Sequence, residues 1–419
     1  MENQDQTLPL ITNDAVVLGL LLATLAIVFR TAASDHPFWK KFYTYVPSLL
    51  LCYFIPSIYN SMGLISGEQS NLYYIASRYL LPTSLVLFTL SMDVKALLRL
   101  GPKALIMFLT GTMGVIIGGP LAVIIVASFA PEIVGGVGPD AVWRGLATIA
   151  GSWIGGGANQ AAMLEVFGAS SDLFAAVLAV DIIIANIWLG VLLYGSTKTE
   201  KIDKSLRADT TAIQEVKKSI EEYAASIAKI PTLSDTMMIL GIGFSATAIA
   251  HMGGDLIAPF IETHYPELDK FSLTSGFFWI VVIATALGLL FSFTKYRELE
   301  GAGASRMASV LLYVLIATIG MQMDITAIVS HPGLFMVGAI WMLVHISFML
   351  IVAKLIKAPF FFVAVGSQAN IGGAASAPIV ASAFSPSLAP VGVLLAVFGY
   401  FVGTYGGWLC GILMQVMAP

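Results

Sequence analysis

Apolar runs about 20 residues long, the length that crosses a bilayer as a helix, recur from one end of the chain to the other. The pattern predicts spans near 14–30, 43–62, 74–92, 103–128, 172–195, 236–256, 272–293, 307–323, 334–353 and 387–415. Two more apolar stretches, 145–168 and 358–383, are interrupted by glycine and polar residues. Residues 196–234 form the one long polar segment and divide the chain near its middle. Within that segment Asp209 is placed to cap a helix carrying Ile213, Val216, Ile220, Tyr223 and Ile227 on one face. Such a helix suits a membrane surface, a partner or a solvated amphipathic linker alike.

The two halves repeat. "LFTLSMDVKALLRLGPKALIMF" from Leu87 and "LIATIGMQMDITAIVSHPGLFMV" from Leu315 each end a span in Met-Asp, at Asp93 and Asp324, and lead into another span. Each is followed by a glycine-interrupted segment opening with Gly-Ser, "GSWIGGGANQAAM" at 151 and "GSQANIGGAASAPIV" at 366. Lys95, Arg99 and Lys103 follow Asp93, whereas Asp324 to Gly333 has no Lys or Arg. Basic residues collect in cytoplasmic loops, so the first connection faces in, the second faces out, and the copies are inverted. Inversion requires an odd number of crossings per half. Five spans plus a re-entrant hairpin in each half satisfy it; full crossings with one additional helix would as well.

The expected fold is therefore an all-α polytopic membrane protein: a first repeat over 1–195, a linker over 196–234 and a second repeat over 235–419. With the N-terminus outside, only Arg78, Arg144 and Lys270 of the 21 basic residues lie outside. This places the linker in the cytoplasm and the protein in the cytoplasmic (inner) membrane. The acidic N-terminus lacks the basic region of a signal peptide, so the first span is expected to be retained.

Non-helical backbone at membrane depth is tolerated only where protein buries it or water reaches it. Gly155, Gly156 and Gly157, and Gly372 and Gly373, permit such breaks. A broken helix offers N–H groups to an anion and carbonyls to a cation. Ser152, Asn159 and Gln160 in one copy, and Ser367, Gln368, Asn370 and Ser376 in the other, add neutral oxygens and donors. Asn159, Gln160, Gln368 and Asn370 are candidate sodium ligands. Asp181 lies near the centre of a span, where a carboxylate is costly and marks function; Asn186 follows five residues later. Asp93 and Asp324 read as helix caps. Glu165 reads as a second-line ion or substrate contact, Arg78 and Arg144 as residues that snorkel or steer an anion, and His251 and His345 as packing residues. Pro378 is placed to end or kink the helix after the second break.

Composition agrees with the pattern: 58% of the 419 residues are hydrophobic and 11% charged, against roughly 25% charged in soluble domains. A net charge of −4 without a basic patch gives nucleic acid nothing to bind. Cys52 and Cys410 lie in apolar spans and read as packing residues. There is no HExxH and no GxSxG, so an enzyme is not expected, and no cofactor beyond a coupling ion is implied.

The paired segments "GSWIGGGANQ" and "GSQANIGGAASAP" resemble the uncharacterised membrane family catalogued as domain of unknown function 819. More remotely the layout is similar to the superfamily of bile acid:sodium symporters, cation/proton antiporters and bacterial glutamate:sodium symporters. That resemblance implies a core built around the broken segments, a scaffold that often dimerises, here as a homodimer, and elevator-like movement coupled to sodium or protons. Asn159, Gln160, Gln368 and Asn370 resemble the polar residues at the broken helices, and Asp181 the membrane carboxylate of the antiporters. The chain lacks an Asn-Asp or Asp-Asp pair at 181 and a Gly-Gly-His-Gly signature. The expected function is ion-coupled transport of a small anionic organic solute, with sodium/proton antiport through Asp181 as the alternative.

Overall fold

The computed structural model describes residues 9–46, 48–209, 213, 230–323, 331–385 and 388–419. All regular structure among them is helical, as lipid requires of segments whose backbone groups must pair within themselves. The principal helices are α1 (Asp14–Ala32), α2 (Ser48–Ser61), α3 (Leu81–Leu90), α4 (Gly101–Ala127), α5 (Val142–Phe167), α6 (Ser171–Ser196), α7 (Leu233–His264), α8 (Gly276–Ser292), α9 (Ala304–Gly320), α10 (Leu334–Ile356), α11 (Phe360–Ile371), α12 (Gly373–Phe384) and α13 (Ala389–Met417). Six of these, α1, α4, α6, α7, α10 and α13, are long and apolar enough to cross a membrane alone. Local signals set several starts: Asn13 accepts from the Ala15 N–H, Ser170 from Leu173, and Thr232 and Asp235 form a reciprocal capping box.

Two expectations are refined. The stretch 43–62 is not one straight helix: a separate helix, Pro37–Tyr45, covers its beginning and meets α2 at a sharp bend. Of the two roles expected of Pro378, ending the helix is excluded, since α12 runs through it to Phe384. Asp324 and most of the proposed linker helix lie outside the described residues.

Helices α4, α5, α6, α10, α11, α12 and α13 pack chiefly with one another, and α1, α2, α3, α7, α8 and α9 form a second group. The groups meet where α5 and α13 lie against α3, α8 and α9. Contacts between connections sort them into two ends. At one end Gln322 donates to the Gly67 carbonyl, Ser170 N–H to Pro139, and Ile133 packs on Gly333. At the other, Arg297 pairs with Asp93 at 2.9 Å, Lys103 with Asp209 at 2.8 Å, and the Phe360 N–H donates to Asp203 at 2.7 Å.

Both glycine-broken segments are hairpins. Helix α5 breaks at Gly155 (φ −141°) and Gly156 (φ 73°, ψ −174°), the latter in a region only glycine occupies comfortably. Its arms then fold together: the Trp143 and Phe167 rings lie 5.5 Å apart, and the Arg144 guanidinium reaches the Phe167 carbonyl. Twenty-four residues of straight helix would separate such positions by about 36 Å. Helices α11 and α12 turn at Gly372 and Gly373, and Phe360 meets Phe384 at 6.0 Å. The hairpins open toward opposite ends and their tips touch, since a β-carbon on Gly373 would stand 3.8 Å from the Gly156 Cα.

Candidate functional site: two hairpin tips and a buried carboxylate

The last helix makes the close approach possible. Gly399, Gly403, Gly407 and Gly411 recur every fourth residue along α13, the spacing that lets membrane helices approach backbone to backbone. A β-carbon at Gly403 would meet the Gly155 Cα at 2.5 Å, and one at Gly407 the Gly151 Cα at 3.0 Å. The first hairpin is thus seated on a glycine track.

Each hairpin is locked by an asparagine, and the two locks share one pattern. Asn159 Nδ2 donates to the Gly155 carbonyl four residues back (3.1 Å) and to the Tyr400 carbonyl of α13 (2.9 Å), while its Oδ1 accepts from Thr404 at 2.7 Å. Asn370 Nδ2 donates to the Gly366 carbonyl four residues back and to the Phe108 carbonyl of α4, both at 2.9 Å, while its Oδ1 accepts from Thr112 at 2.8 Å. In each case the threonine lies one turn beyond the carbonyl residue. Both asparagines are fully buried.

Asp181 of α6 is buried against the first hairpin. Trp153 Nε1–H donates to one oxygen at 2.6 Å and Gln160 Nε2–H to the other at 2.7 Å. Both partners are donors, and neither carries a positive charge. One face of α6 serves both hairpins, because two turns on Trp188 Nε1–H donates to Ser367 Oγ at 2.8 Å. The same Ser367 oxygen lies 2.8 Å from His345 Nε2, whose Nδ1 lies 3.1 Å from the Gly111 carbonyl. A carbonyl only accepts, so Nδ1 carries the hydrogen and the neutral ring's Nε2 accepts a hydrogen bond from the Ser367 hydroxyl. Gln368 Nε2 donates across the second tip to Ser376 at 2.7 Å, and its buried Oε1 has no partner among the described residues.

The family model described as a protein of unknown function, DUF819, matches residues 19–417, spanning both hairpins and every residue of this cluster. The chain belongs to this family. A curated relative, the uncharacterised membrane protein YjcL of Bacillus subtilis (strain 168), is 21% identical over 369 residues, covering 84% of this chain and 86% of its own length. In this member the structure brings Ser152, Asn159, Gln160, Asp181, Ser367, Gln368, Asn370 and Ser376 into the packed centre with the glycines of the two breaks.

It does not bring in Asn186. Five residues turn a helix through about 500°, leaving Asn186 roughly 140° away from Asp181; it is exposed and donates to the Ile182 carbonyl of its own helix. Asp93 caps the turn that follows it, accepting from Ala96 N–H at 2.9 Å. Glu165 and Arg78, read separately in the sequence, form one pair at 2.6 Å. Trp153, Trp188, His345, Thr112 and Thr404 were not legible as site residues: Trp188, Thr112 and Thr404 meet partners more than a hundred residues away, and Trp153 and His345 meet theirs on a different helix, which spacing in sequence does not reveal. The fourfold glycine period of the final span was the one available signal.

Proposed function

We propose that the chain is an ion-coupled secondary transporter of a small anionic organic solute, working by alternating access across the cytoplasmic membrane. The observation that carries this reading is a pair of glycine-broken hairpins that open toward opposite ends and meet at their tips beside a buried carboxylate without a basic partner among the described residues. Such tips expose unpaired helix-end N–H and C=O groups, the means by which discontinuous membrane helices hold anions and cations. Read as inverted repeats, each half has five crossings and a hairpin, and the basic residues put the linker end in the cytoplasm. The packing of the helices into two groups suits elevator-like movement of one against the other, with the second as scaffold of a homodimer.

For the coupling ion, the geometry favours Asp181 and the open Gln368 oxygen over the two asparagines, whose groups are engaged in the locks. A buried anion surrounded only by neutral donors leaves room for a cation to complete it. The test is thermal unfolding of the purified full chain in sodium, with choline holding ionic strength constant. A ligand that binds only the folded state raises stability by about 2.7 kcal/mol at a hundred times its Kd. Sodium should stabilise the wild type saturably and Asp181→Asn far less, and proteoliposomes should take up organic anions down a sodium or proton gradient. No uptake of any anion under either gradient would overturn the solute reading.

The same lone carboxylate supports a second reading, sodium/proton antiport with Asp181 as the titrating group. It expects ion flux without organic solute, abolished in Asp181→Asn.

A further inference from the structure

The pair between Arg78 and Glu165 lies away from the hairpin tips, at the other end of the first hairpin's return arm. Arg78 Nη1 stands 2.6 Å from Glu165 Oε2, and the Tyr73 hydroxyl hydrogen-bonds Oε1. Both oxygens of one carboxylate are therefore taken by separate donors from the segment Leu72–Leu90, while the carboxylate belongs to the hairpin. The contact joins the two helix groups.

Arg78 is positioned independently of Glu165. It lies in a π-helical turn, Ala76–Leu80, in the helix that Pro82 continues. Proline has no N–H, so the Arg78 carbonyl lacks its usual helical donor one turn on, and His251 Nε2 takes that place at 2.8 Å. The guanidinium rests 4.5 Å from the centre of the Phe277 ring and also faces Tyr74. Beside the pair is a cavity of about 140 Å³ lined by Tyr73, Glu165 and Gln322 together with the apolar Leu164, Phe174 and Ile319; it reaches Arg78 only through its partners Glu165 and Tyr73.

A fixed guanidinium and a phenol hydroxyl are the donor set for a small carboxylate, and the aromatic floor and the adjoining cavity of mixed lining leave room for its apolar part. We propose that Arg78 and Tyr73 form a recognition site for a carboxylate solute, held in this conformation by the chain's own Glu165, so that an arriving carboxylate and the hairpin compete for one guanidinium. This deepens the transport reading and rests on it for the solute class; the site itself is tested without transport. Displacing Glu165 removes one polar tie between the hairpin and the second helix group, while the packing of α5 on α3, α8 and α9 stays in place.

The experiment is equilibrium binding by thermal shift on the purified full chain. The probes are the sodium salts of acetate, lactate and succinate, with sodium chloride as the reference at matched concentration. A tethered competitor acts at an effective concentration in the millimolar range or above. Glu165→Gln, which replaces it with a neutral group, should lower the half-saturating carboxylate concentration by about tenfold or more. Glu165→Gln/Arg78→Gln should lose the response, and Glu165→Gln/Arg144→Gln should keep it. Equal responses in wild type and Glu165→Gln, no response in either, or a response that survives loss of Arg78 each overturn the proposal. Carboxylate binding at Arg78 without flux would sink the transport reading alone; flux with no binding at Arg78 would sink this site alone.

Discussion

Asn159→Ala removes three hydrogen bonds of 2.7–3.1 Å from a fully buried side chain. A stranded buried polar group costs about 1–3 kcal/mol. The full sum does not apply here, because Thr404 keeps Thr285 within 3.3 Å and the two carbonyls have second lone pairs. The expected loss is about 3 kcal/mol for Asn159→Ala and about 1–2 kcal/mol for Thr404→Val, which removes one hydroxyl at constant shape. The decisive quantity is their coupling. Hydrogen bonds in a membrane protein average about 0.6 kcal/mol in double-mutant cycles and reach about 1.7. The 2.7 Å bond joins two fully buried partners, so it belongs near the upper end, at about 1–1.5 kcal/mol. The cycle Asn370→Ala with Thr112→Val repeats the same atoms at 2.8 Å and should give the same value within about 0.5 kcal/mol. Reversible unfolding in bicelles or mixed micelles measures both cycles. Additivity within about 0.3 kcal/mol in both would refute the claim that these asparagines lock the hairpins.

Gly156→Ala forces an alanine into φ 73°, ψ −174°, which should cost about 1–3 kcal/mol in the melting profile; Gly157→Ala, with only Leu312 at 4.0 Å from the added methyl, should cost less. A cysteine pair replacing Trp143 and Phe167, in a chain freed of Cys52 and Cys410, should cross-link with a short bismaleimide, whereas a straight helix would hold the pair about 36 Å apart and leave it unlinked. Burial raises the pKa of Asp203, in the linker outside the spans, against the opposing pull of the Phe360 N–H. A raised carboxylate pKa means stability that is present below the unfolded value and lost as pH rises through the folded one. At neutral pH Asp203→Asn should therefore match or exceed the wild type, with the two converging below about pH 4, while Asp203→Ala, which leaves that N–H unpaired, should melt lower at every pH; an Asn variant as unstable as the Ala variant would refute this.

The sequence by itself determined where the apolar helices run, the central polar division, the two breaks and the charge asymmetry. These are local properties: about 20 apolar residues predict a crossing whatever surrounds them, and runs of two or three glycines mark a break because backbone freedom belongs to the residue. Asp93 was legible as a cap for the same reason, its partner being three residues away. Only the tertiary structure decided that the breaks make hairpins, since that depends on Trp143 meeting Phe167 and Phe360 meeting Phe384. It also separated amides that look alike in sequence. Asn159 and Asn370 are committed to Thr404 and Thr112, Gln160 to Asp181, and Gln368 alone of these four has a buried oxygen without a partner among the described residues. What a polar side chain does inside a membrane depends on which donor or acceptor the fold carries to it, and these partners come from residues up to 258 positions away.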